Sequence, residues 1–200
     1  MKKKNIEMKK KYCLITNNYF HLENFLIPLI NRVSEEFEVT IILSKINKKD
    51  IKFDRYIKTI NVNFKRNYNV FLHFYNMIKL AYIFRKHKYD VVHTHTPIVS
   101  IISRLSAFFS KIKCVHYTCH GFYFTDHSSK FSKFIWSTIE KYLSFLTTRT
   151  FYVSEEDFRY SELNKFKTKK QSLFIGNGIN INKFSYKGDD YKKKMKIKLN

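Results

Sequence analysis

The sequence predicts an α/β domain: a parallel sheet with helices on both faces. Three observations carry that prediction. Short apolar runs of strand length alternate with amphipathic stretches at helical spacing from Lys11 onward. Two of those runs, near Asp90 and Lys113, end in polar turns rich in histidine, where an open α/β sheet presents its ligand site. The 200 residues, 44% hydrophobic and 18% aromatic, supply the core of one such domain and are too few for two complete ones.

Lys11 to Thr16 is a compact apolar run ending in a polar turn, and it reads as the first buried strand. Leu22, Phe25, Leu26, Leu29, Ile30 and Val33 follow at helical spacing. Pro28 lies inside that pattern. Either the helix begins late, with Pro28 in its first turn and Asn17 to Asn24 as an exposed loop, or it is kinked at Pro28. Phe37 to Leu43 is a second strand and Tyr56 to Val62 a third, joined by a Lys-rich connection. Phe71, Phe74, Ile78, Ala81 and Tyr82 mark one face of a helix closed by Arg85-Lys86-His87-Lys88, whose cations complement the helix dipole.

The strand Asp90 to His93 follows directly, then Thr96 as a helix N-cap with Pro97 at the first helical position. Ile98, Ile101, Ile102, Leu105 and Phe109 form the stripe of that helix, and Arg104 interrupts it. Lys113 to Cys119 is the next strand, followed by an amphipathic helix through Phe131, Phe134, Ile135, Thr138, Ile139, Tyr142 and Leu146. Thr150 to Val153 is another strand, with Ser154 and Asp157 as a capping box for the helix after it. Glu155, in its first turn, reads as a helix-dipole partner rather than a catalyst. Ser172 to Ile175 is the last strand and enters the turn Gly176-Asn177-Gly178. The aromatic and aliphatic stripes read as core.

Strand and helix alternate throughout, and right-handed crossovers then give a Rossmann-like parallel sheet. The sequence divides into a basic tail at 1–10, this domain at 11–184 and a basic linker at 185–200. With only 4 glycines, and no G-x-G-x-x-G opening the first helix, a dinucleotide site of the usual kind is not expected, and no cofactor is assigned.

The 38 Lys and Arg against 16 Asp and Glu give a net charge of +22. Such a balance favours anionic partners, although a Lys-, Asn-, Ile- and Tyr-rich bias arising from AT-rich coding gives the same total. No run of about 18 apolar residues exists to span a bilayer, and Asn17 and Asn18 cut short the apolar stretch that would make a signal peptide of the start. The chain reads as cytoplasmic, with peripheral attachment at the inner face of the cell membrane left open. Cys13, Cys114 and Cys119 form no C-x-x-C and read as buried reduced thiols.

The chemistry concentrates in Asp90-Val91-Val92-His93-Thr94-His95-Thr96-Pro97 and Cys119-His120-Gly121-Phe122. If extended, His93 and His95 point to the same side of their strand. His21 either faces the same cleft or caps its helix. Arg66, beside Asn67 just after a strand, is a candidate for an anionic acceptor or a solvated surface cation. His93, His95, Cys119 and His120 are metal-ligand types, but their separations match no standard zinc signature and no metal site is assigned.

Taken in order, these two motifs, Val153-Ser154-Glu155-Glu156-Asp157, and Ile175-Gly176-Asn177-Gly178-Ile179-Asn180 with Lys183-Phe184 resemble retaining glycosyltransferases of family 4. The likeness is greatest to those that build bacterial capsular and exopolysaccharides, and it runs from Lys11 to Phe184. The resemblance implies a GT-B architecture in which this domain is the N-terminal, acceptor-holding half. A sugar passes from a nucleotide-sugar donor to a lipid-linked or oligosaccharide acceptor with anomeric configuration retained and no obligatory metal. It implies a catalytic role for His120, next to Gly121, at the reacting sugar, an acceptor side lined by His93 and His95, and Asn177-Gly178 just before an interdomain linker. An oxocarbenium-like transition state with charge building on the leaving diphosphate needs oriented dipoles more than a strong base, and an imidazole at a strand end can supply one.

Two departures stand out. Asn17-Asn18-Tyr19-Phe20-His21 replaces the family's Gly-rich first turn, which speaks against phosphate cradling there. No two glutamates are related by i, i+8, so the family's paired glutamates and its donor-binding domain are expected on a separate subunit or lost. Three functions follow: the acceptor half of a sugar transferase, a non-catalytic basic module at an anionic membrane surface, and nucleic-acid binding. The last has only charge behind it and none of the usual signatures, and no nucleic-acid partner is assigned.

Overall fold

Every strand pairs in parallel in the computed structural model, which describes residues 9–17, 19–44, 53–64, 69–125, 127–166 and 172–178. The strands are β1 (Lys11–Ile15), β2 (Glu38–Leu43), β3 (Lys58–Asn61), β4 (Val91–His95), β5 (Cys114–Cys119), β6 (Arg149–Tyr152) and β7 (Ser172–Phe174). They lie in the order β3-β2-β1-β4-β5-β6-β7, so strand order reverses between β1 and β4. At such a reversal the crossovers leave in opposite directions and open a crevice above the carboxyl ends. Arg66 with Asn67, the segment Ile179, Asn180, Lys183 and Phe184, and the tails at 1–8 and 185–200 lie outside the described residues.

Between β1 and β2 the chain is helical from Tyr19 to Ser34, where the sequence left open a loop to Asn24. The segment comprises α1 (Tyr19–His21), a π-helical turn (Leu22–Leu26) and α2 (Ile27–Ser34). The wide turn resolves the Pro28 conflict. The Ile27 N–H reaches back to the Leu22 carbonyl, and α2 then starts afresh with Pro28 in its first turn, where a missing N–H costs nothing. Leu22, Leu26 and Ile30 pack with Tyr12, Leu14, Val39 and Ile41 in a core on this side of the sheet.

The remaining helices are α3 (Val70–His87), α4 (Pro97–Phe109), α5 (Lys130–Ser144) and α6 (Glu155–Leu163). Cys13, Ile15, Val92 and Val115 meet Leu80, Phe84, Val99 and Ile102 in the core of the opposite side. Here α4 lies against the strands, flanked by α3 and α5. Small polar side chains let α3 and α4 approach closely: the Ser106 and Ser110 hydroxyls donate to the Met77 and Ala81 carbonyls. Arg104, which breaks the apolar pattern of α4, is fully buried, donates to Glu140 of α5 at 2.8 Å and lies over the Tyr117 ring.

Burial overturns part of the core expected from periodicity. Phe71, Phe74, Ile78 and Tyr82 of α3 face outward, as do Phe131, Phe134 and Tyr142 of α5. The residues α3 buries are Asn76, Leu80, Ile83 and Phe84, with Asn76 donating to the Asn63 carbonyl. In α5 the buried set is Glu140, Leu143 and Ser144, because the ion pair with Arg104 turns its polar side inward. Apolar residues lie around most of α3, and in α5 the buried ion pair outweighs the apolar stripe, so spacing alone did not select the inner face.

The connection from β4 to α4 takes a single residue. Thr96 stands at the N-cap position but makes no side-chain capping bond, contrary to expectation, and its backbone sits at φ 66°, ψ 138°. A β-branched residue there stores roughly 1–3 kcal/mol, of a kind that collects at ligand sites. The strand ends at His95 and Pro97 already belongs to the helix, so Thr96 alone absorbs the change of direction.

Candidate active site

Register aligns the histidines. Leu14 pairs with His93, His93 with His116 and His95 with Thr118, which places Tyr12, His93, His95, His116 and Thr118 on one face of the sheet, with His120 just past the end of β5. Tyr12 Oη lies 2.5 Å from His93 Nδ1, and His93 Nε2 lies 2.8 Å from Thr118 Oγ1. Burial pushes the Tyr12 phenol up, so it keeps its proton and donates to Nδ1; the His93 proton then sits on Nε2 and donates to Thr118.

His95 Nδ1 lies 3.1 Å from His120 Nε2, and His95 Nε2 is buried with no partner. An unpaired lone pair is cheaper to bury than an unpaired N–H, so His95 carries its proton on Nδ1 and donates to His120. The His120 proton is thereby left on its own Nδ1. His21 closes the group: its ring lies edge-on to that of His120 at 4.2 Å, and its Nδ1 is 3.4 Å from Thr16 Oγ1.

These imidazoles are neutral. Burial, with neighbouring histidines adding repulsion, lowers His93 to about 3 and His120 to about 4; burial alone lowers His21 to about 4. Burial also holds His95 well below the usual value, reinforced by His93, His120 and His21. Among the described residues no group of three or more His, Cys, Asp or Glu is arranged to hold a metal ion.

Above this network, at the reversal between β1 and β4, lies a hollow of about 470 Å³. Asn17, Phe20, His21, Thr96, His120 and Tyr123 are among its lining residues, and none of the lining side chains is charged. Asn17 Oδ1, His21 Nε2 and Thr96 Oγ1 are buried without hydrogen-bond partners. The hollow thus combines unpaired neutral polar atoms with aromatic surface, a composition that suits a hydroxyl-bearing ring better than a polyanion.

The sequence-derived candidates separate into three groups. His21, His120 and Gly121 line the hollow, and Gly121, at φ +124°, turns the chain where a side chain is disfavoured. His93 and His95, expected on the acceptor wall, are 5% and 1% exposed and sit beneath the hollow as the support of His120. Asn177 and Gly178 follow β7, three strands away from β4, and are not among the lining residues.

Sequence reasoning missed Tyr12 and Thr118, which hold His93 from two other strands; the strand alternation that singled out His93 and His95 also places Tyr12 and Leu14 on one side. It placed Asp157 in a capping box with Ser154 and missed its contact with the turn after His120. Ser154 does accept from the Asp157 N–H, but the Asp157 carboxylate takes a hydrogen bond from the Phe122 backbone, tying α6 to the turn after His120. Burial, then Glu156, raises that carboxyl to about 6. Of the cysteines, Cys13 and Cys119 are buried and Cys114 is half-buried.

A parallel doubly wound domain with a neutral, histidine-floored crevice at its strand reversal has the form of one Rossmann-like half of a GT-B architecture. The model of Glycosyltransferase Family 4 matches residues 22–183, and the chain belongs to that family. It is 27% identical over 84% of its length to the UDP-Gal:alpha-D-GlcNAc-diphosphoundecaprenol alpha-1,3-galactosyltransferase of Escherichia coli. The match spans 44% of that enzyme, so the chain corresponds to less than half the relative's length. Among solved structures, a glycosyltransferase from Rickettsia africae superposes with a TM-score of 0.60 at 20% identity, over 94% of this chain and 49% of that one. A UDP-N-acetylglucosamine 2-epimerase does so with a TM-score of 0.63 at 16% identity, over 86% and 47%. These two likenesses show the shared fold.

Proposed function

We propose that the chain is the acceptor-holding half of a sugar transferase of bacterial surface polysaccharide synthesis. The acceptor is a sugar on a polyprenyl diphosphate, and a nucleotide sugar is held by a second domain or subunit. The observation that carries this reading is the uncharged hollow floored by His21 and His120 at the strand reversal. Neutral hydrogen-bonding atoms and aromatic faces fit an acceptor sugar ring, whereas a diphosphate calls for cations that the lining lacks. The Escherichia coli relative's named acceptor, N-acetylglucosamine on diphosphoundecaprenol, fits the same class.

In the reaction His120 is the catalytic residue. Held by His95 with its proton on Nδ1, it is a fixed neutral dipole that orients an oxygen at the reacting sugar as charge develops. His93 and His95 are positioning residues, and Gly121 keeps the turn clear of a side chain. The protein works in the cytoplasm at the inner face of the cell membrane, where lipid-linked acceptors present their sugars.

A transfer assay tests this reading. Radiolabelled UDP-sugars and N-acetylglucosaminyl diphosphoundecaprenol are supplied to the purified chain, alone and mixed with the donor-binding half of the Escherichia coli relative. Product formed only in the mixture is the expected result. Rapid turnover by the chain alone, or none in either arm with any UDP-sugar, contradicts it.

A further inference from the structure

The outer surface of the α3–α4–α5 layer is both apolar and free of negative charge. Phe71 is 89% exposed, Phe131 75% and Tyr142 70%, with Phe74, Tyr82 and Phe134 all above half. Isolated exposed aromatics need no explanation, but two stripes at helical spacing on the helices that flank α4 do. The three helices contain one carboxylate between them, Glu140, and it is buried against Arg104. Lys86 and Lys88 stand exposed at the end of α3, Lys111 and Lys113 in the turn after α4, and Lys130 at the start of α5.

The layer is continuous. Arg85 of α3 donates to the Phe109 carbonyl of α4, and Phe108 shares a hollow with Phe145, next to the end of α5, and with Lys111 and Lys113. We infer that this face docks on an anionic lipid bilayer, with the aromatic rings at headgroup depth and the lysines on lipid phosphates. Charge selects this occupant over a second copy of the chain, because two surfaces of a protein with net charge +22 repel. No described helix is long and apolar enough to cross a membrane, so the contact is interfacial.

The inference rests on the acceptor being lipid-linked, and it gives that acceptor a route. Tyr123, in the lining of the hollow, packs against Trp136 of α5 with ring centroids 4.5 Å apart. The docking face therefore ends at the mouth of the site, and a sugar carried on lipid reaches the hollow along α5.

Cosedimentation with phosphatidylglycerol–phosphatidylcholine vesicles, against pure phosphatidylcholine, tests this with the 200-residue chain. The wild-type chain should bind the anionic vesicles, with a blue shift of its single tryptophan, Trp136. Serine at Phe71, Phe74, Phe131 and Phe134 keeps the charge and should weaken binding by more than about tenfold. Because all four rings are exposed, thermal melts of this variant should match wild type. If they do not, the separate pair Tyr142→Ser and Phe145→Ser should still lower vesicle affinity. No preference for anionic vesicles, undiminished binding by these variants, or a dimer dissolved by the same substitutions overturns the inference. The vesicles contain no sugar acceptor, so failure here leaves the transferase reading standing, and failed transfer does not touch the docking result.

Discussion

His95 and His120 meet nitrogen to nitrogen, Nδ1 to Nε2 at 3.1 Å, so a fully buried strand residue fixes the ring of one that borders the hollow. Replacing His120 with Ala should cut the rate of transfer in the two-component assay by about 100-fold or more, the scale set by removing one oriented donor. His95→Leu should also lower the rate while shifting the acceptor KM less than kcat, with partial rescue by His95→Asn. An unchanged rate in His120→Ala contradicts its catalytic role.

Acid should loosen the domain through the same residues. His21 and His120 are lowered to about 4 and His93 to about 3, below the ordinary 6.5 of the unfolded chain. Between those values the unfolded state binds more protons, so the stability these groups contribute is complete above pH 6.5 and is lost as pH falls towards 4. Melting temperature should decline over that window, and His93→Gln should flatten the slope. Imidazole NMR titration checks it: midpoints near 6.5 for His21 and His120 would contradict the burial argument.

The Tyr12 hydroxyl donates the hydrogen bond that satisfies a buried nitrogen, Nδ1 of His93. Tyr12→Phe leaves His93 Nδ1 without its partner at almost unchanged volume and should cost about 1–3 kcal/mol in urea unfolding. A negligible change would mean that the 2.5 Å contact contributes nothing.

Arg104 and Glu140, 1% and 5% exposed, form an ion pair that cannot lose one member cheaply. Glu140→Gln should destabilise by about 3–5 kcal/mol because it strands a buried guanidinium, whereas Arg104→Met with Glu140→Leu should recover most of that loss. Additive losses in the double variant would contradict the pairing.

Much of this is legible in the sequence. Short apolar runs such as Lys11–Ile15 and Cys114–Cys119, bounded by polar turns, read as buried strands, and the period of two in Val91–His95 carried His93 and His95 to one face. What spacing could not supply was the third dimension. Leu22 to Leu26 gave no sign of a π turn except Pro28 just beyond it. On α3 and α5 apolar side chains occupy more than one face, and the inner face was chosen by Asn76 and Glu140, polar residues with partners on distant segments. Tyr12 and His93 are 81 residues apart, so nothing local linked them. Burial of His93 and His95 depends on neighbouring strands, which turned two expected contact residues into supports.

Titration of the chain with N-acetylglucosaminyl diphosphofarnesyl, followed through the imidazole Cε1–H signals, tests the acceptor site most directly. Shifts at His21, His120 and, through its hydrogen bond, His95 are expected, with His87 at the far end of α3 unmoved. Saturable binding that leaves His21 and His120 unshifted, or no binding at all, would contradict the assignment of this crevice to the acceptor.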